Sequence, residues 1–216
     1  MTGVTDFFLL LIVLIDLYML ATSRIEACIR ASAFQGLILA ALLFLFAWNG
    51  SSEAIHFWLM GIGTAVVKAL CIPLLLRRAL RVAKVRREVE PMVSLHISVL
   101  LGVLLVVGGF WLGRTLELPR PMPATLLLPT AFSTLFVGFL ILVTRKKAIT
   151  QVVGYLVLEN GVFLCGMGLI RDLPFVVELG ILLDVLVGVF VMGIAVHHIA
   201  REFNDIDVGL MASLKE

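Results

Sequence analysis

The stretch Thr150–Leu169, TQVVGYLVLENGVFLCGMGL, holds twenty residues and a single charge, Glu159. About 20 mostly apolar residues, rising 1.5 Å each, cross a hydrocarbon core of roughly 30 Å. The stretch therefore reads as a transmembrane helix. Glu159 falls about ten residues in, roughly 15 Å deep. A charge at the bilayer centre costs about 2.5–3.5 kcal/mol on insertion scales, so a chain that keeps one there gives it a partner or a use.

Outward from this helix the pattern repeats. Candidate spans are 6–22, 31–48, 54–76, 91–112, 124–143, 150–169 and 174–198. The chain is 61% hydrophobic and 15% charged, against roughly 25% charged in a soluble domain. The expected fold is an all-α integral membrane protein with about seven transmembrane helices. The short loops 49–53 and 170–173 make their flanking helices antiparallel hairpins. Pro91, Pro123 and Pro174 stand where spans begin, and there a missing N–H costs little. Pro73 falls inside the third span and should kink it. Asp6, rather than a basic segment, precedes the first apolar run, which reads as a retained helix.

Loop charges set the expected orientation. One side receives Arg24, Arg30, Arg77, Arg78, Arg81, Lys84, Arg86, Arg87, Arg145, Lys146, Lys147, Arg201 and Lys215; the other receives Arg114, Arg120 and Arg171. Under the positive-inside rule this puts the N-terminus outside and the C-terminus in the cytoplasm. The basic run 77–90 reads as a topology determinant and a helix extension that meets anionic head groups. No Lys/Arg run is interleaved with aromatics, so no nucleic-acid partner is expected.

Five ionisable residues lie within apolar spans: Asp16, Lys68, Glu159, Glu178 and Asp184. Asp184 is about as deep as Glu159, counted from the opposite side. Gly180 and Gly188, four residues to either side, would let a neighbouring helix approach. The pair fits a proton relay, in which burial and nearby cations balance a carboxyl's proton affinity. It also fits neutral carboxyls that hold two helices together. Glu178, four residues past Pro174, fits an entry group or an interfacial carboxylate near a helix N-terminus. Lys68 is about eight residues from the cytoplasmic end, which favours a buried functional lysine over a snorkelling one. Gly61, Thr64 and Ala65 share its face, and Asp16 is a possible partner by depth. His56, His96, His197 and His198 sit near span ends, where a proton-entry role is open to them.

Other chemistry is not indicated. Cys28, Cys71 and Cys165 are far apart and read as small buried hydrophobes, with no Cys/His cluster for a metal or iron–sulfur centre. No phosphate-cradling loop or nucleophile elbow is present. The chain has no self-contained catalytic site.

The stretch Gly154-Tyr155-Leu156-Val157-Leu158-Glu159-Asn160-Gly161, then a short loop and Asp184-Val185-Leu186-Val187-Gly188, resembles two helices of the K subunit of respiratory complex I. It is similar also to the C subunit of multisubunit cation/proton antiporters. The resemblance maps that subunit's two membrane carboxylates onto Glu159 and Asp184; the second is Asp here, and the short loop is closer to the antiporter subunit. With Lys68-Ala69-Leu70-Cys71-Ile72-Pro73, the four extra N-terminal helices, and Asp207-Val208 and Leu214-Lys215 near the C-terminus, the whole chain resembles hydrogenase-4 component E. That family supplies membrane subunits of group 4 nickel–iron hydrogenases such as formate hydrogenlyase.

The resemblance implies three parts: an N-terminal four-helix extension (1–123), a K-subunit-like three-helix unit (124–200) and a cytoplasmic tail (201–216). It implies a non-redox subunit of a multisubunit oxidoreductase in a bacterial or archaeal cytoplasmic membrane. Its partners would be large antiporter-like subunits, a membrane anchor subunit and peripheral hydrogenase subunits. The nickel–iron centre and iron–sulfur clusters would be in those partners, with no cofactor on this chain. The buried carboxylates would contribute to a proton or sodium path. A cation/proton antiporter subunit and a passive scaffold are the competing readings.

Overall fold

A computed structural model describes residues 2–48, 54–82, 89, 92–116, 124–169 and 193. The described residues form helices and connections, with no strand among them. The elements are α1 (Thr2–Ala21), α2 (Ile25–Trp48), α3 (Ala54–Thr64), a π-helical segment (Ala65–Cys71), α4 (Ile72–Val82), α5 (Leu95–Thr115), α6 (Leu127–Thr144) and α7 (Ala148–Leu169). The third span runs through α3, the π segment and α4. Among the described residues, six helices are long and apolar enough to cross a membrane. The expected seventh span, with Glu178, Asp184, Gly180, Gly188, His197 and His198, lies outside the described residues, Gly193 excepted.

Several boundaries differ by a few residues from the sequence reading. The second helix begins at Ile25, not 31, because Glu26 and Arg30 are carried on its first turns. The fourth begins at Leu95, where the Ser94 hydroxyl accepts a hydrogen bond from the Ile97 N–H at 3.4 Å as an N-cap. The basic stretch continues as helix through Arg77, Arg78 and Arg81, as expected.

α6 is the hub, packed against α7, α5 and α1, while α2 packs against α1, α7 and the third span. In lipid, helices gain little from hiding apolar surface and rely on close approach of small residues. A methyl on Gly161 would meet the Leu135 backbone nitrogen at 2.5 Å, and one on Gly138 would collide with the Leu158 backbone. These two glycines press α6 onto α7 around Glu159 and Asn160.

Three of the described connections meet at one end of the bundle. The Val89 N–H donates to the Ser23 carbonyl (2.7 Å) and the Met92 N–H to the Thr144 carbonyl (2.8 Å). These bonds bring Val89, Met92 and the segments that carry Arg24 and Arg145–Lys147 to one face. Arg145 is not a solvated loop charge there. It is buried, and its Nη2 donates to the Leu20 carbonyl at the end of α1 (3.1 Å). That burial pulls the guanidinium below the usual arginine range, though arginine remains a cation in proteins. Cys28 is buried and Cys165 half-buried, whereas Cys71 is exposed on the outer surface, contrary to the expectation that it would be buried.

Candidate ion-relay site

Lys68 lies in the π-helical segment. Pro73 has no N–H, and its ring would crowd the carbonyl four residues earlier in a regular helix. The wider turn before it accommodates the ring; the Ile72 N–H already bonds five residues back, to the Val67 carbonyl. The expected irregularity at Pro73 is thus a π bulge, a feature that concentrates at functional sites.

The bulge sets Lys68 against Gly36 of α2 and aims its ammonium at α7. Nζ stands 2.7 Å from Oε1 of Glu159 and 2.9 Å from Oδ1 of Asn160. The Phe163 ring, one turn beyond Glu159, lies 5.6 Å from Nζ, close enough for a cation–π contribution. Asn160 Nδ2 donates to Gln35 Oε1 on α2 (3.2 Å). Gln35 Nε2 donates to Asp16 Oδ1 on α1 (2.8 Å), and the Thr134 hydroxyl on α6 donates to Asp16 Oδ2 (2.8 Å). One chain of hydrogen bonds thus joins five of the six described spans, and all six residues are buried.

Glu159, Lys68 and Asp16, singled out from sequence, therefore belong to one cluster. Their pairing differs from the expected one. The ionic partner of Lys68 is Glu159, and Asp16 stands two amides away. Gln35, Asn160 and Thr134 complete the chain and were not singled out as site residues. Buried amides and hydroxyls need partners as ionic groups do, but cost less, so they stand out less in an apolar sequence. Glu159 Oε2 is buried and accepts no hydrogen bond among the described residues. No group of three or more His, Cys, Asp or Glu side chains gathers among them as a metal site.

An ammonium and a carboxylate both removed from water lose several kcal/mol of hydration each, and their attraction recovers this only with good geometry and further hydrogen bonds. Here the second acceptor, Asn160, and the aromatic face of Phe163 supply that support for Lys68. The arrangement can hold charge inside the bundle.

Fold and site together define a multi-pass α-helical membrane protein with a buried charge cluster. The chain belongs to the same family as the uncharacterized protein Rv0085 of Mycobacterium tuberculosis, with which it is 31% identical over 193 residues, 89% of this chain and 87% of that protein. It is also similar to hydrogenase-4 component E of Escherichia coli, 24% identical over 205 residues covering 95% of this chain and 94% of that one. The Shigella flexneri hydrogenase-4 component E matches equally. No family model and no solved structure matches the chain.

Proposed function

We propose that this chain is a membrane subunit of an energy-conserving hydrogenase complex in a bacterial or archaeal cytoplasmic membrane. Its buried carboxylates form part of a proton or sodium path, driven by electron transfer in partner subunits. The observation that carries this reading is the Lys68–Glu159 ion pair, buried mid-span and extended by hydrogen bonds across the bundle. Ionisable groups kept inside a membrane bundle mark ion pathways by default. Similarity to hydrogenase-4 component E over nearly the whole of both chains supplies the kind of complex. The nickel–iron centre and iron–sulfur clusters belong to the partners, with antiporter-like subunits, an anchor subunit and peripheral hydrogenase subunits completing the assembly. Asp184 and Glu178 are further path residues by their place in the sequence.

Purification from native membranes, with identification of the co-purifying chains, tests the assembly. Recovery with nickel–iron hydrogenase subunits is expected; recovery with antiporter subunits alone would replace this reading. Glu159→Gln and Asp184→Asn test the path. Each should lower ion translocation in sealed vesicles while assembly and hydrogenase activity with artificial acceptors survive. Full translocation in the double variant would leave the chain a passive scaffold.

A further inference from the structure

The hydrogen bonds between Lys68 and Asp16 all run in one direction, and the chemistry of the two ends fixes that direction. An ammonium donates and never accepts. Asn160 must therefore turn its oxygen to Lys68, which leaves its NH₂ to face Gln35. Gln35 must then present its oxygen to Asn160 and its NH₂ to Asp16. Oδ1 of Asp16 can only accept. Flipping either amide would set donor against donor and oxygen against oxygen.

The charges do not balance. Lys68 contributes one positive charge, and Asp16 and Glu159 could contribute two negative ones. A net charge inside the hydrocarbon layer is expensive, and the neutral cluster holds one proton between the two carboxyls. Two oxygens can take it without disturbing the amides. One is Oε2 of Glu159, buried and without a hydrogen-bond partner among the described residues. The other is Oδ2 of Asp16, whose neighbour is the Thr134 hydroxyl at 2.8 Å. A hydroxyl can turn from donor to acceptor, so Thr134 can serve Asp16 in either state.

We propose that Asp16 and Glu159 are alternative seats for one proton, coupled through the aligned amides of Gln35 and Asn160. The amides carry no proton themselves, since each keeps its NH₂ and its oxygen in both states. They transmit charge: with the proton on Glu159, ionised Asp16 balances Lys68 through the polarised chain; with it on Asp16, Glu159 balances Lys68 directly. Each seat exchanges its proton with its own surroundings, and filling one empties the other. Other ionisable groups on the packed elements are Asp6 and Tyr18 on α1, Glu26, Cys28 and Arg30 on α2, His56 on α3, Cys71 in the π segment, Arg77, Arg78 and Arg81 on α4, His96 and Arg114 on α5, Arg145, Lys146 and Lys147 after α6, and Tyr155 and Cys165 on α7. Among these packed elements, the carboxylate seated on Lys68 is Glu159.

The inference deepens the relay reading of Glu159, and its test is separate from translocation. The complex carrying Asp184→Asn, in native lipid, is compared by infrared spectroscopy with its Asp16→Asn and Glu159→Gln derivatives. The readout is the C=O stretch of protonated buried carboxyls. Either substitution leaves one carboxylate, which must remain ionised to balance Lys68. Two seats in different surroundings give the parent two C=O stretches of partial intensity, and both derivatives should lose both. A single stretch in the parent would mean that the proton has a fixed seat, loss in one derivative only that the charge balance does not hold, and loss in neither that the cluster holds no such proton; each result overturns the proposal. Lys68→Met gives an independent arm should Asp16→Asn fail to assemble. Without the ammonium both carboxyls must be protonated, so the cluster's band intensity should double. Unchanged intensity would overturn the proposal even if Glu159→Gln stops translocation as the relay reading requires.

Discussion

Lys68 is pressed against Gly36: a methyl group on Gly36 would stand 2.8 Å from the Lys68 Cβ and 3.2 Å from its carbonyl carbon. The atoms it would meet are the root of the side chain and the backbone, which cannot swing aside. α2 and the π segment are thus close enough for the ammonium to reach α7 only while position 36 has no side chain.

Gly36→Ala should therefore destabilise the protein by up to about 2 kcal/mol: overpacking costs about 1–3 kcal/mol, and alanine returns roughly 1 kcal/mol in a helix interior. Gly63→Ala is the control, since open space surrounds Gly63, and it should be neutral or slightly stabilising. Denaturant midpoints in detergent decide. Equal effects at the two positions would show that the approach at Gly36 is not tight.

Breaking the ion pair should cost more than removing it. Lys68→Met and Glu159→Gln each leave a buried partner without its counter-group, and the double variant leaves neither. The double variant should be less destabilised than the sum of the singles by about 0.5–3 kcal/mol, the range for residues in contact. Strict additivity in a denaturation cycle would argue that the 2.7 Å contact contributes nothing.

Pro73→Ala should separate stability from activity. Alanine restores the missing N–H and favours a regular helix, which recovers up to about 3 kcal/mol. A regular helix also rotates Lys68 relative to Gly36 and Glu159. Thermal stability in detergent should rise and ion translocation should fall. A parallel rise of both would mean that the π bulge plays no part in aiming Lys68.

The orientation read from loop charges predicts opposite labelling of single cysteines placed at 84 and 120. A membrane-impermeant thiol reagent should reach 120 from outside and 84 from the cytoplasmic side, in a Cys71→Ser background because Cys71 is exposed. Labelling of both from one side would reverse the assignment.

Much of the fold was legible because apolar runs of about 20 residues have few alternatives. The helix starts were less so. Glu26 and Arg30 look like loop residues, yet they ride on the first turns of α2 where side chains reach the interface. In the site, Asp16, Lys68 and Glu159 announced themselves as charges in apolar surroundings. Which of them pair could not be read from depth alone, because depth says nothing of which helices are neighbours. The pairing depends on α2 standing between α1 and the third span, and on a bulge that changes the rotation of Lys68. Asn160 stood in plain view beside Glu159 in the Leu-Glu-Asn-Gly stretch, and Gln35 lay unnoticed in an otherwise apolar helix.

The partners Lys68 and Glu159 are 91 residues apart in the chain. At about 5–20 residues per second, Lys68 emerges from the ribosome roughly 5–18 s before the carboxylate that will neutralise it. For that interval the third span must enter the bilayer with an uncompensated cation or wait beside the insertion machinery. Its entry is carried by Val66, Val67, Leu70 and Ile72 around the lysine. A chain truncated before α7 should therefore be recognised and degraded as an orphan.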